Sequence, residues 1–197
     1  MHFTLATIDI QSIRDALAAC DAAVFSAINI GMGASWLDPV MIAITIIGIG
    51  ATQAGIGLVT IAAGIAAKKS ELRSLGYAIL IACIGAFVFS HIAKTYCDRP
   101  RPVMLIYDIR LPDCPRFMRS FPSGHTTTAF ASALVLAAYM PRLRCVLLAI
   151  AGLVGLSRVY LGVHFPYDVI YGAVLGSVIG ILSAKLFDLG RNSADKS

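Results

Sequence analysis

Long apolar segments constrain the fold of this chain more than any other feature. Residues 37–67 contain one charged side chain, Asp38, and the segment exceeds the roughly 20 residues that a helix needs to cross a bilayer core. Apolar residues make up 58% of the chain and charged residues only 14%, with a mean hydropathy of +0.80. This composition is far too apolar for a soluble globular protein. The sequence therefore predicts one polytopic membrane domain.

The apolar segments predict an all-α bundle of about five transmembrane helices. The predicted spans are residues 37–67, 75–95, 124–140, 143–160 and 166–187. The first is long enough either to tilt or to break near Gly48–Ile49–Gly50. Prolines within residues 96–122 rule out a continuous helix there, so that segment is predicted to be a loop. Residues 188–197 are predicted to be a polar tail.

Residues 10–30 are predicted to form an amphipathic helix in the membrane interface. Its apolar positions recur at helical spacing, and polar residues interrupt the segment too often for a span. The apolar positions are Ile13, Leu17, Cys20, Val24 and Ile28. The residues before this helix lack the features of a cleaved signal peptide, so we expect the spans themselves to direct insertion.

The net charge of +5 does not indicate a nucleic-acid partner, because no basic stripe with interleaved aromatic residues is present. Counted over the two predicted faces, lysine and arginine are equally divided. Short loops weigh most in the positive-inside rule, and the two short loops, 68–73 and 141–144, are basic. We therefore expect these loops in the cytoplasm and the opposite face outside a cytoplasmic (inner) membrane.

A short polar segment, Ser157 to Asp168, lies between the last two predicted spans. Arg158 offers a planar donor group suited to phosphate, and His164 can act as a base, acid or nucleophile near neutral pH. If Pro166 starts a helix, Asp168 can reach one imidazole nitrogen of His164 and leave the other free to react. The alternative is a loop histidine capped by an aspartate at a span boundary.

Two further segments carry groups that suit a phosphate. Residues 94–102 bring Lys94 and Arg101 to the membrane surface, where they could bind a phosphoryl group or simply anchor the chain to anionic lipids. In residues 121–125, Ser123 can cap a helix and Gly124 lets backbone N–H groups approach an anion. His125 would then lie beside that anion and could donate a proton. The alternative for this segment is an ordinary N-cap with an interfacial histidine.

A chain changes face at every span. With five spans, this alternation places all three polar segments on one face of the membrane. Together they supply cationic groups for phosphate oxygens, an in-line nucleophile and an acid for the leaving group, which is the set that phosphoryl transfer needs. His164, oriented by Asp168, is the candidate nucleophile. His125 has no carboxylate near it in sequence and is the candidate acid.

These motifs resemble the three-part signature of the type 2 phosphatidic acid phosphatase superfamily. The matching residues are Lys94 with Arg101–Pro102, Pro122–Ser123–Gly124–His125, and Ser157–Arg158 with His164 and Asp168. The resemblance implies a metal-independent, cofactor-free membrane phosphatase. It implies that Lys94, Arg101, Arg158, Ser123 and Gly124 hold the phosphate. His164 would form a phosphohistidine, His125 would protonate the leaving group, and Asp168 would orient His164.

The expected function is hydrolysis of a terminal phosphate from a lipid phosphate or diphosphate. The short chain resembles bacterial enzymes acting on undecaprenyl diphosphate, which we favour, or on phosphatidylglycerol phosphate. A phosphotransferase using the same site is the close alternative, and a non-catalytic lipid or anion transporter is a more distant one. Membrane lipids are the expected surroundings, and the sequence leaves the oligomeric state open.

Three weaker features complete the sequence-based expectations. Glycines at four-residue spacing, Gly172, Gly176 and Gly180, favour close helix packing inside the bundle over a dimer contact. Cys97 and Cys114 share the loop of residues 96–122, called the outer loop because of its predicted side of the membrane, and could form a disulfide if that face is oxidising. Apolar residues of the same loop are expected to rest on the bilayer near a lateral lipid entrance. They are Leu105, Ile106, Tyr107, Ile109, Phe117 and Met118.

Overall fold

The computed structural model describes residues 9–113 and 117–188, and every regular element in these ranges is helical. The eight α-helices are α1 (Ile10–Ser26), α2 (Asp38–Ile47), α3 (Gly50–Ala66), α4 (Ser70–Tyr96), α5 (Pro102–Leu105), α6 (Gly124–Tyr139), α7 (Arg144–Tyr160) and α8 (Pro166–Leu186). A π-helical turn, Ala27–Gly31, extends α1, and a 3-10 turn, Pro141–Leu143, precedes α7. The all-α prediction is confirmed.

Not every one of the five predicted spans corresponds to a helix that is long and apolar enough to cross a membrane by itself. Three helices, α4, α7 with its preceding turn, and α8, are long and apolar enough to cross a membrane, and α2 with α3 makes a fourth if the bent pair is one span. The bend between α2 and α3 is 51° and falls at Gly48–Ile49. Of the two alternatives for this segment, a tilt or a break near Gly48–Ile49–Gly50, the structure shows the break. The predicted third span corresponds to α6, whose 16 residues are fewer than the roughly 20 that a bilayer core requires.

Helix α6 lies at the centre of the bundle, which explains how a short helix is stabilised. It packs against α4, α7 and α8, and most of its residues are buried. The largest apolar cluster joins one face of α4 to α6 and α8 through residues such as Ile79, Val135 and Ile179. In a membrane, such side chains stabilise the bundle by van der Waals packing, because lipid tails are as apolar as the side chains themselves.

The glycine face of α8 is what brings α6 so close. A Cβ added at Gly176 would lie 2.2 Å from the Thr127 carbonyl oxygen, and one added at Gly180 would lie 2.4 Å from that of Ala131. The expectation that these glycines pack inside the bundle is confirmed.

Helix α1 forms within the predicted residues 10–30, and the face that contacts the bundle carries both polar and apolar side chains. Asp21, Phe25 and Asn29 are buried at four-residue spacing, whereas Ile13, Leu17 and Val24 are exposed. The Asn29 amide donates to the carbonyl oxygens of Tyr160 and Arg110. The sequence-based interpretation treated Asp21 only as an interruption; here it is a buried contact of the helix.

The outer loop folds around a single helical turn, α5, and several of its apolar side chains are exposed. Ile106 and Ile109 pack against the cluster of Phe25, Val159 and Phe165. Leu105, Tyr107, Phe117 and Met118 are exposed, as a surface resting on lipid would require. Cys114 and residues 189–197 lie outside the described residues, so the possible disulfide and most of the predicted tail do too; Cys97 is a free, exposed thiol.

Candidate active site

The three polar segments predicted to share one face meet at one end of the bundle. The Ser123 N–H donates to the Asp168 carbonyl oxygen at 3.0 Å, which joins the start of α6 to the first turn of α8. The Lys94 ammonium, in the last turn of α4, donates to the Pro122 carbonyl oxygen at 2.8 Å. The alternation of spans along the chain therefore predicted this arrangement correctly.

His164 lies in the loop between α7 and α8, and its side chain is buried. Pro166 begins α8 as predicted, and Asp168, the third residue of that helix, caps it by accepting a hydrogen bond from the Phe165 N–H at 3.0 Å. This capping turn brings Asp168 Oδ2 to 3.5 Å from His164 Nδ1. The contact is long for a direct hydrogen bond.

Ser120 completes the link between His164 and Asp168. Its hydroxyl donates a short hydrogen bond to Asp168 Oδ2, and its oxygen lies 3.3 Å from His164 Nδ1. Because that hydroxyl proton is directed to the carboxylate, the oxygen is left to accept from Nδ1–H. The arrangement favours the tautomer with its proton on Nδ1 and a lone pair on Nε2.

The unprotonated nitrogen, Nε2, faces Arg101. The NH1 group of Arg101 lies 3.5 Å from it and donates to the Val163 carbonyl oxygen at 2.7 Å. Arg101 also donates through Nε to the Met118 carbonyl oxygen at 2.6 Å. The backbone of the outer loop thus fixes this buried guanidinium beside the reactive nitrogen.

Arg158 approaches from α7 and is almost fully buried. Its NH1 group donates to the Thr45 hydroxyl on α2 at 2.6 Å, and its backbone carbonyl accepts from the His164 N–H at 3.3 Å. Helix α2 therefore orients the second arginine, a contact that the sequence does not indicate. Lys94 supplies the third cation and donates to the carbonyl oxygens of Arg119, Ser120 and Pro122.

The start of α6 brings the remaining predicted residues. Ser123 occupies the N-cap position, but its side chain makes no capping hydrogen bond and instead accepts from the Thr126 hydroxyl at 3.0 Å. This corrects the expectation that the Ser123 hydroxyl caps the helix. A Cβ at Gly124 would meet nothing within 4 Å, so there is space for a ligand beside the helix start. His125 follows, half-buried, in the first turn.

Arg99, which sequence reasoning did not assign, contacts Asp168, and Asp21 of α1 contacts Arg99 in turn. Arg99 donates to Asp168 Oδ1 at 2.7 Å and makes a short ion pair with Asp21 of α1. Asp21 also accepts from the Tyr167 N–H at 2.9 Å. Arg99 stood between two signature residues in the sequence, and only its charge could have suggested a role.

Electrostatics at this end of the bundle favour an anion. Arg99, Arg101, Arg158 and Lys94 lie around one buried carboxylate, Asp168, and Asp21 offsets the charge of Arg99. Burial lowers the pKa of His164 to about 3, with smaller contributions in the same direction from Arg101 and Arg158, while Asp168 opposes them. A neutral imidazole with a free Nε2 lone pair is the form that can attack phosphorus.

Comparisons with known proteins identify the family of this chain. The model of the PAP2 superfamily matches residues 72–190. An undecaprenyl-diphosphatase of Sulfolobus acidocaldarius is 34% identical over 119 residues, which cover 60% of this chain and 58% of that protein. A lipid A 1-phosphatase of Rhizobium johnstonii is 33% identical over 129 residues, covering 58% of this chain and 52% of the relative. The chain thus spans little more than half the length of these curated relatives.

Solved structures match over a larger share of the chain. The crystal structure of Aquifex aeolicus LpxE superposes with a TM-score of 0.71 at 32% identity, covering 83% of this chain and 94% of that one. A PAP2-type phosphatidylglycerolphosphate phosphatase from Bacillus subtilis gives a TM-score of 0.71 at 28% identity, with 88% and 87% covered.

Proposed function

Because the chain belongs to the PAP2 superfamily, we propose that it is an integral membrane phosphatase that removes a terminal phosphate from a lipid phosphate or diphosphate. The observation that carries the proposal is the convergence at one end of the bundle of a buried histidine, its carboxylate, three cations and a second histidine. Transport or binding alone would not need two histidines placed for different roles.

The proposed reaction begins with the phosphate held by Arg101, Arg158 and Lys94, with backbone N–H groups at the start of α6 contributing. Lys94 and Arg101 donate to loop carbonyl oxygens in the structure. When substrate binds, its oxygens would replace some of these hydrogen bonds. The three cations would neutralise charge on the equatorial oxygens in the transition state.

His164 Nε2 then attacks phosphorus, and the bond from phosphorus to the leaving oxygen breaks. His125 gives its proton to that oxygen, and a phosphohistidine remains. Water next attacks phosphorus, the N–P bond breaks, and His125 can take the proton of the water. Asp168, through Ser120, holds the Nδ1 proton of His164 and stabilises positive charge on the ring.

Undecaprenyl diphosphate is the favoured substrate, and phosphatidylglycerol phosphate is the next candidate. Relatives named for each of these activities support the two possibilities. The site would face the outside of a cytoplasmic membrane, because the basic loops 68–73 and 141–144 lie at the opposite end of the bundle. We further propose that the reaction requires no metal ion.

Phosphate release by purified protein tests the proposal directly. The assay uses detergent solution with a chelator and a panel of lipid phosphates and diphosphates. His164→Asn should lower kcat by about 10³-fold or more, since it removes the covalent nucleophile. His125→Asn should lower it by about 10²–10⁴-fold, and less for a substrate whose leaving group needs no proton.

Trapping of a phosphoenzyme separates the alternatives. Labelled substrate should leave acid-labile phosphate on the wild-type protein and none on His164→Asn. Transfer of label to an added lipid or sugar, with little free phosphate, would indicate a phosphotransferase. Strict dependence on a divalent metal, or full activity of His164→Asn, would contradict the mechanism.

A further inference from the structure

A cavity of about 200 Å³ lies on the His125 side of the candidate site. Its walls come from the break between α2 and α3, one face of α4 and the first turn of α6. The lining includes Phe87, Ser90, His91, Lys94, Gly124 and His125. An acid must lie next to the leaving oxygen, so a cavity lined by His125 is where the leaving group would be.

The lining changes from polar to apolar along α4. Lys94, His91 and Ser90 lie within about one helical turn of one another at the end that faces the site. Cys83, Ala86 and Phe87 follow on the same face, deeper in the bundle. Phe87 is largely exposed on the membrane-facing side of α4. A ligand in this cavity would therefore need a short polar part followed directly by hydrocarbon.

Ser90 provides an independent sign of a ligand. Its side chain is 4% exposed, and its hydroxyl oxygen makes no hydrogen bond within the described parts of the chain. Buried hydroxyls without a partner are rare in proteins, because the lost hydration is not replaced. This hydroxyl belongs to the wall of the cavity, one turn of α4 below Lys94, so a bound group in the cavity can complete its hydrogen bonding.

His91 adds a second set of donors to the same end. Its imidazole stacks on the Phe87 ring with centroids 6.0 Å apart, which holds the ring beside the cavity. Together with the Lys94 ammonium, the imidazole and the hydroxyl make a site for an anion. None of the three signature motifs includes Ser90 or His91.

We propose that Ser90 and His91 form a second anion subsite that binds the phosphate of the leaving group and makes the enzyme selective for lipid diphosphates. This inference rests on the proposed phosphatase function. His164 Nε2 bonds to the terminal phosphorus, and the bond from that phosphorus to the bridging oxygen breaks. The bridging oxygen takes the His125 proton, and the lipid monophosphate leaves through the cavity.

The length of the polar end distinguishes this leaving group from a glycerol-based one. A prenyl monophosphate has hydrocarbon directly after its single phosphate, which matches Ser90 and His91 followed by Ala86 and Phe87. In phosphatidylglycerol phosphate, two glycerol units and a phosphodiester separate the terminal phosphate from the acyl chains. Those polar groups would lie against the apolar part of the lining, where they would lose hydration without gaining partners.

Farnesyl diphosphate and farnesyl phosphate form a matched substrate pair, because they differ only in the second phosphate. We would measure kcat/KM for both with wild type, Ser90→Ala and His91→Gln. Each substitution should reduce the preference for the diphosphate by about tenfold, the usual effect of losing a hydrogen bond to a charged group. Ser74→Ala, at the opposite end of α4, is the control and should leave the preference unchanged.

A binding measurement separates this inference from the proposed function. Farnesyl methylenediphosphonate and farnesyl phosphonate are not hydrolysed at the terminal phosphorus, so their relative affinity reports the subsite without turnover. A preference for the diphosphonate that falls about tenfold in Ser90→Ala supports the subsite even if phosphate release fails. An unchanged ratio in both variants, in rates and in binding, overturns the inference and leaves the phosphatase function standing.

Discussion

The charge of His164 depends on a competition among the groups around it. Burial and the two arginines, Arg101 and Arg158, disfavour the imidazolium, whereas Asp168 favours it. Burial dominates, and the resulting pKa of about 3 lies well below the usual value near 6.5. A lowered pKa means that the ring stays neutral at every pH above about 3, so the candidate nucleophile needs no deprotonation near neutral pH.

We predict that the His164 imidazole does not titrate between about pH 5 and pH 8. Protein with ¹⁵N-labelled histidine, in detergent, should show Nδ1 protonated and Nε2 unprotonated for His164 across this range. The His164 resonances are identified by their loss in His164→Asn. The resonances of the more exposed His91, in the same spectra, are compared with them. A His164 titration with a midpoint near 6.5 would contradict the buried, neutral ring.

Individual site residues differ in how well the sequence revealed them. Lys94, Arg101, His125, Arg158 and His164 were all predicted, and they do meet at one end of the bundle. Thr45 was missed because it contacts the site from a distant part of the sequence, and Arg99 and Ser120 were missed although they lie close to signature residues. A serine in a loop or a threonine in an apolar helix carries no periodic signal, so only the folded arrangement shows its partner.

At the scale of helices, the contact between α6 and α8 fixes the geometry of the site. The glycines of α8 let the two backbones approach, and the Ser123 N–H then reaches the Asp168 carbonyl oxygen. The four-residue spacing made close packing predictable. The identity of the partner helix was not predictable, because a smooth face fits any neighbour of similar shape.

Gly176→Ala should therefore destabilise the protein and lower its activity together. The added Cβ would lie 2.2 Å from the Thr127 carbonyl oxygen, so α8 must move away from α6. Overpacking of this kind costs about 1–3 kcal/mol. Thermal unfolding in detergent should show a lower Tm, and phosphate release should fall as Asp168 shifts.

Gly152→Ala is the matched control for that substitution. Gly152 lies within α7, and a Cβ there would meet nothing within 4 Å. Alanine is favoured over glycine in a helix by about 1 kcal/mol, so Tm should stay constant or rise. An equal loss of Tm in both variants would show that the loss does not come from the contact between Gly176 and α6.

Helix α1 shows where element-level prediction from sequence fails. Its apolar positions were predicted to form one face; Ile13, Leu17 and Val24 are exposed, whereas Ile28 is partly buried against the bundle. Its attachment depends on Asp21, whose charge pairs with Arg99 of the outer loop. A partly buried ion pair between residues 78 positions apart cannot be found from periodicity, which identifies apolar contacts.

For the whole molecule, the order in which the segments alternate between the two ends of the bundle predicted the site better than the length of each segment did. The five apolar segments were identified, but α6 is too short to satisfy a length criterion and is stabilised by burial among its neighbours. The order of the segments still brings the ends of α4 and α7 and the starts of α6 and α8 together. A helical bundle with short connections has few other arrangements.

Orientation in the membrane can be tested with two native cysteines. Cys97 is exposed at the end of α4 beside the candidate site, and Cys145 is exposed in the first turn of α7 at the opposite end. Variants that retain only one of these cysteines, with the others replaced by serine, would be expressed in a bacterial host. A membrane-impermeant maleimide should label the Cys97 variant in intact spheroplasts and the Cys145 variant only after permeabilisation.

This outcome follows from the basic loops at the Cys145 end, which the positive-inside rule keeps in the cytoplasm. The reverse pattern would place the candidate site in the cytoplasm, and its substrate would then have to be presented from the inner leaflet.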